Sequence, residues 1–149
     1  MKLGNLVMFG VFVILPIIVG VAIYVGWRAT SLAVFDWMAV CCIPTDVFRP
    51  AIGLPQSLLY SLPDACWVFA GTSWMHLIWH RMHPWVFIFL ILAIGAEVGQ
   101  ALCIVPGVFD WIDIVFYIGG FLLALSGYTH AQTLLVNYGV IGDGRARSG

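Results

Sequence analysis

Four carboxylic acids stand in or beside stretches of this chain that are otherwise apolar: Asp64, Glu97, Asp110 and Asp113. An ionisable side chain at membrane depth is costly to hold, and by default it marks a functional site. Clustered carboxyls in a low dielectric cannot all stay charged, so protons or a cation must neutralise them. Oxygen-rich sites suit Mg²⁺ or Ca²⁺, and a divalent cation held by Glu97, Asp110 and Asp113 is one expectation. Two such acids can also act as a general acid–base pair. Spacing sharpens the picture. Glu97 and Gln100 are three residues apart and share a helix face. Asp113, Tyr117, Gly120, Ala124 and Gly127 recur at steps of three or four, as do Asp64, Val68, Thr72 and His76. His76 then lies roughly 18 Å along the helix from Asp64, at about 1.5 Å per residue. The expected polar pocket is Asp64, Glu97, Gln100, Asp110, Asp113 and Tyr117. Asp64 and Asp110 have a second reading, as acids that open helices and cap free N–H groups. Glu97 is not at a helix end. Its alternative is a neutral, hydrogen-bonded carboxyl that holds helices together. No GxSxG, HExxH or phosphate-cradling glycine loop occurs, and the sequence leaves catalysis open.

The elements that must position these residues are membrane helices. Hydrophobic residues make up 62% of the chain and charged residues 9%, with a mean hydropathy of +1.04. A soluble domain carries about 25% charged residues. The 149 residues form one integral membrane domain with room for about four spans of roughly 20 residues. Net charge is −1 with no basic patch, which excludes a nucleic-acid partner. The expected fold is an all-α membrane protein, a compact bundle of about four transmembrane helices over residues 4–27, 63–79, 85–105 and 111–129. Pro63 suits a helix start, where its missing N–H costs nothing. Between the first two spans, residues 31–62 are interrupted by prolines and read as interfacial or re-entrant. Residues 142–149 read as a mobile tail. Trp27, Trp79, Trp85 and Trp111 fall at span ends, where aromatic belts form.

Four spans place Lys2, Arg81, Arg145 and Arg147 on one side and Arg28 and Arg49 on the other. The positive-inside rule makes the first side cytoplasmic, with both termini. The first apolar stretch is longer than the core of about 7–15 residues in a cleaved signal peptide, so it reads as an uncleaved helix. The acids of the second, third and fourth spans then share the outer half of the bundle. Stripes of small residues, Ala93, Ala96 and Ala101 on one helix and Gly120, Ala124 and Gly127 on another, allow close helix approach. They place Glu97 facing Asp113. Gly95-x-x-x-Gly99 is a candidate face for a homodimer or another membrane protein. Of the four cysteines, Cys41 or Cys42 can be imagined bridging Cys103. Small buried thiols are the plainer reading.

Ser61-Leu-Pro-Asp64, Glu97-Val-Gly-Gln100 and Gly107-Val-Phe-Asp-Trp-Ile-Asp113 followed by Gly120 resemble the VanZ-like family of small bacterial membrane proteins. The family pattern is an acid before a helix, a Glu-x-x-Gln on a later helix and an Asp-led final helix. The resemblance spans roughly Pro63 to Gly127 and matches best at Glu97, Gln100 and Asp113. The chain departs from it at Gly107, where the family carries Arg, and at Tyr117, where it carries Asn. Trp67 and Val68 stand where the family has His. The resemblance implies a role in the bacterial envelope, in the cytoplasmic (inner) membrane, and no defined reaction.

Three functions fit these residues. The first is a VanZ-like membrane protein whose acidic outer-half pocket binds a cation or a lipid head group. The second is a structural subunit or assembly factor of a larger membrane complex. The third is a Mg²⁺-dependent enzyme acting on a lipid or polyprenyl-phosphate carrier. Transport ranks below these, because polar residues thin out to Thr72 and His76 in the inner half.

Overall fold

The computed structural model describes residues 3–27, 53 and 55–137. The expected tail, Cys41, Cys42, most of the segment between the first two spans, and every Lys and Arg except Arg81 lie outside those residues. The described residues are almost entirely helical and contain no strand.

Leu3–Trp27 is helical throughout. It divides into α1 (Leu3–Phe9), a π-helical turn (Gly10–Ile14) and α2 (Leu15–Trp27). Pro16 has no N–H, and its ring crowds the carbonyl four residues before it. The π turn lies just upstream, where the Leu15 N–H donates to the Gly10 carbonyl. Its wider backbone accommodates that crowding. Next come α3 (Gln56–Trp79), a 3₁₀ turn (Pro84–Phe87), α4 (Ile88–Ala101) and α5 (Trp111–Asn137). His80 ends α3 in the left-handed region (φ 52°), and its N–H donates to the His76 carbonyl at 2.9 Å.

Three helical stretches are long and apolar enough to cross a membrane: Gly4–Trp27, Pro84–Ala101 and Trp111–Leu134. α3 is as long as the longest of them need be, at 24 residues, but it is more polar. Ser61, Thr72, Ser73 and His76 are all buried along it. The reason is its place. α3 packs against the first helix and α5 to about the same extent, and less against α4. Its buried polar residues are covered by these helices, while the side it leaves exposed carries Trp67, Trp74 and Ile78.

Close approaches set the helix directions. Gly20 lies against Pro63 and Cys66, where an added Cβ would sit 3.2 Å from the Pro63 carbonyl oxygen. Phe12 stacks on Phe69 at 6.0 Å, so the first helix runs against α3. Gly71 receives the Phe89 ring, and α4 also runs against α3. Gly120 lies on the Ala65 carbonyl, 2.7 Å from where a Cβ would be. His76 meets Tyr128, so α5 runs parallel to α3. Asp64, Glu97 and Asp113 therefore fall at one end of the packed helices. Val68, Val86, Tyr117 and Phe121 form the apolar core just beyond them.

Several boundaries differ from expectation. α3 starts at Gln56, seven residues before Pro63, and absorbs the end of the segment expected to be irregular. Pro63 is fully buried inside the helix. It removes one backbone bond, a loss that membrane helices tolerate where neighbours pack against the site. Asp64 is consequently an interior residue and no helix cap. The third span stops at Ala101, because the Ile104 and Val105 N–H groups both donate to the Gly99 carbonyl and turn the chain. That turn also lays Val105 on Gly99, where a Cβ would meet it at 2.8 Å. Of the Gly95-x-x-x-Gly99 pair, Gly99 is therefore covered, whereas Gly95 faces open space. α5 continues past residue 129 to Asn137. Cys66 and Cys103 are free thiols, and Cys103 is exposed.

Candidate ligand-binding cleft

The centre of the acid end is Glu97, which is 2% exposed. α4 aims it inward, and both of its oxygens are engaged. The Asp110 backbone N–H donates to Oε2 at 3.2 Å, and the Tyr117 hydroxyl donates to Oε1 at 3.1 Å. One carboxyl thereby ties α4 to the residue before α5 and to the second turn of α5. Asp110 itself turns toward its own helix. Its Oδ1 accepts the Ile112 N–H at 2.8 Å, the interaction of an N-cap acid. The capping alternative holds for Asp110. For Glu97, the described contacts are those of a carboxyl holding helices together.

Between α3 and α4 a cleft of about 590 Å³ opens beside Glu97. It exists because α4 touches α3 closely only toward the 3₁₀ turn, where the Phe89 ring fills the space over Gly71. Farther along, the small side chains of Ala93 and Ala96 leave the gap open, with Glu97 and Gln100 at its acid end. Asp64, Gln100, Asp113 and Tyr117 all line this cleft with Glu97. Five of the six residues expected to form the pocket are therefore brought together, and Asp110 is not among the lining residues. Gly107 and Val108 close one end. Gly107 has φ 144° and packs so tightly on the Gln100 amide that a Cβ would come within 2.6 Å of it. The positive φ favours glycine there, whereas the Gln100 amide, at the end of a flexible side chain, could move aside.

The residues not anticipated are aromatic. Tyr60, Trp67 and Phe89 complete the walls. Tyr60 and Trp67 stand four before and three after Asp64, so helical spacing from that acid would have found them. Phe89 has no such mark in an apolar run.

Asp113 contributes an oxygen, Oδ1, that is buried and has no hydrogen-bond partner among the described residues. A buried acceptor without a donor is unfavourable by about 1–3 kcal/mol. The described lining residues include no Lys, Arg or His. The cleft as described can accept hydrogen bonds and balance positive charge. It offers nothing to neutralise a phosphate.

The expected ion site of Glu97, Asp110 and Asp113 is arranged otherwise. Glu97 spends both oxygens on protein donors, and Asp110 is a cap. Among the described residues, no three His, Cys, Asp or Glu side chains are grouped to hold a metal. Comparison with known proteins adds no lineage: no protein-family model, curated protein or solved structure matches this chain.

Proposed function

We propose that this chain is a multi-pass membrane protein whose acidic cleft binds a small cationic or hydrogen-bond-donating ligand, with a lipid head group as the leading class. The observation that carries this reading is the cleft between α3 and α4. Its walls hold Asp64, Glu97 and Asp113, and the buried Asp113 Oδ1 lacks a donor among the described residues. A ligand N–H or O–H entering the cleft meets the carboxyls of Asp64 and Asp113 on its walls. In this reading α3 is a fourth span, with its polar residues covered by the helices packed against it, and the acid end faces outward. The resemblance to VanZ-like proteins supports a place in the bacterial inner membrane, with both termini cytoplasmic.

The other readings have less behind them. The subunit reading leaned on exposed apolar surface, which lipid would cover as well as a partner would, and on the Gly95/Gly99 face, where Val105 covers Gly99. The Mg²⁺-enzyme reading leaned on Asp110 beside Asp113, and Asp110 is engaged as a cap.

The test is thermal unfolding of the detergent-purified protein against cations and short-chain lipids, for wild type and Ala96→Phe. Ala96 is exposed on the cleft wall, so the larger ring fills the gap without disturbing the core. A ligand specific to the folded state stabilises by about 2.7 kcal/mol at one hundred times its Kd. The wild type should gain this shift from at least one ligand class and the variant should lose it. Equal shifts in both proteins would place binding elsewhere.

A further inference from the structure

We infer that the group taken up by this cleft is an ammonium carried by a membrane lipid, which enters sideways between α3 and α4; the inference rests on the cleft being a binding site at all. A bare divalent ion wants about six to eight oxygen ligands for Ca²⁺, or a near-ideal octahedron for Mg²⁺. The acid end is poorly stocked for that, since Glu97 and Asp110 are committed to protein donors. An ammonium group makes smaller demands. A primary ammonium has three N–H donors, which carboxylate oxygens can accept, and its charge is also attracted by aromatic faces. Asp113 supplies the acceptor, and Trp67, Phe89 and Tyr117 supply rings around the same space. The volume of about 590 Å³ also exceeds what an ion fills and falls within the range of about 300–1,000 Å³ typical of small-molecule sites.

The source of the ammonium follows from the rim. Trp67 on α3 is 52% exposed, and Ala96 on α4 is exposed. Both lie partway along their helices, so the gap between them faces the flank of the packed helices. The neighbouring surface of α4 carries exposed Ile91, Leu92 and Val98. In a bilayer, that flank is met by acyl chains. A molecule that reaches Asp113 by this route has an apolar body behind its cationic head.

Thermal unfolding of the full chain in maltoside detergent tests this with four additives at matched concentration. They are dioctanoyl phosphatidylethanolamine, dioctanoyl phosphatidylglycerol, free ethanolamine and MgCl₂. The expected result is a saturable rise in Tm with phosphatidylethanolamine and none with the other three. Asp113→Asn keeps the side chain's shape and removes its charge, and Trp67→Ala trims an exposed wall. Each should weaken the apparent affinity for phosphatidylethanolamine by about tenfold. If Asp113→Asn does not fold, Trp67→Ala carries the comparison alone. An equal rise with phosphatidylglycerol, or a response unchanged in every variant that folds, would overturn the ammonium assignment. An equal response to ethanolamine would make the ligand a soluble amine and overturn the lipid source. A shift given only by Mg²⁺ or phosphatidylglycerol, and lost in Asp113→Asn, would overturn this inference while leaving the cleft a binding site. No shift from any additive would remove both.

Discussion

The acid end and the polar patch around His76 share α3 and α5, and the acid end also draws on α4; they lie roughly 18 Å apart along α3 at about 1.5 Å per residue and are built in opposite ways. At the acid end the deepest polar group is doubly bonded, and a void is left beside it. Glu97 accepts from Asp110 and Tyr117, and the cleft opens past it to an exposed rim. Around His76 the packing is closed and the polar atoms go without protein partners. Thr72 Oγ1, Ser73 Oγ and His76 Nδ1 are buried and unbonded among the described residues. The His76 ring lies 4.5 Å from that of Tyr128, which Phe12 also meets edge-on. Of the neighbouring polar groups, Gln132 donates to the Tyr128 hydroxyl at 3.0 Å. Val68, Val86 and Phe121 stand between the two regions. That apolar layer separates the two polar regions among the described residues. Polar residues in one set of packed helices therefore do different work: those at the acid end fix a neighbour and frame a space, and those around His76 are enclosed.

The contrast can be broken most forcefully at Glu97. Glu97→Ala strands a backbone N–H and a hydroxyl, and should lower unfolding stability in detergent by about 2–4 kcal/mol. Glu97→Gln should cost less than about 1 kcal/mol. Its amide oxygen can take the Asp110 N–H while its amide N–H donates to the Tyr117 oxygen. A Gln variant as unstable as the Ala variant would mean that charge, and not bonding geometry, holds α5 in place. Next in size is Gly120→Ala, at about 1–3 kcal/mol. Its Cβ would press on the Ala65 carbonyl, a backbone atom that moves only if α3 and α5 separate. The adjacent Gly119 faces open space, so Gly119→Ala should be neutral or gain up to about 1 kcal/mol from helix propensity. Tyr117→Phe should cost about 1 kcal/mol through the lost bond to Glu97. Tyr128→Phe should cost less, because the half-buried Gln132 can find another acceptor. Chemical or thermal unfolding of the matched pairs checks each of these.

The convergence of acids was legible because it depends on two robust signals. Apolar runs separated by breakers fix the alternation of helix direction, and steps of three or four fix which residues share a face. Those signals suffice to bring Asp64, Glu97, Gln100, Asp113 and Tyr117 to one cleft. Local motifs were less dependable where tertiary packing decided the outcome. Pro63 carries the mark of a helix start, yet it lies within α3, packed under Gly20. Gly99 carries the mark of a dimer face, yet it serves the turn that ends α4. Asp110 was ambiguous between pocket and cap. Only the position of its carboxyl decides that, and one residue of helix phase is enough to turn it away from the cleft. The aromatic walls were missed because Trp and Phe in an apolar run are unremarkable until an acid beside them gives the spacing a purpose.

The finest test of the contrast lies at Thr72. Its side chain is fully buried, and its hydroxyl has no partner among the described residues. Replacing a bonded buried hydroxyl by a methyl is costly, because it strands the other partner. Replacing an unbonded one removes only a desolvated polar atom. Thr72→Val keeps the branched shape, so it should leave stability within about 0.5 kcal/mol of wild type or raise it. Ser73→Ala should behave alike, apart from a small loss of packing. If Thr72→Val instead costs more than about 1 kcal/mol, the hydroxyl is bonded after all. A buried water bridging Thr72, Ser73 and His76 would be the economical partner, since such waters commonly hold about three bonds to protein. The His76 region would then be a hydrated interior like the acid end, and the distinction between an open, bonded end and a closed, unbonded one would fall. A neutral or stabilising result keeps it, and marks these polar atoms as tolerated by the packing around them.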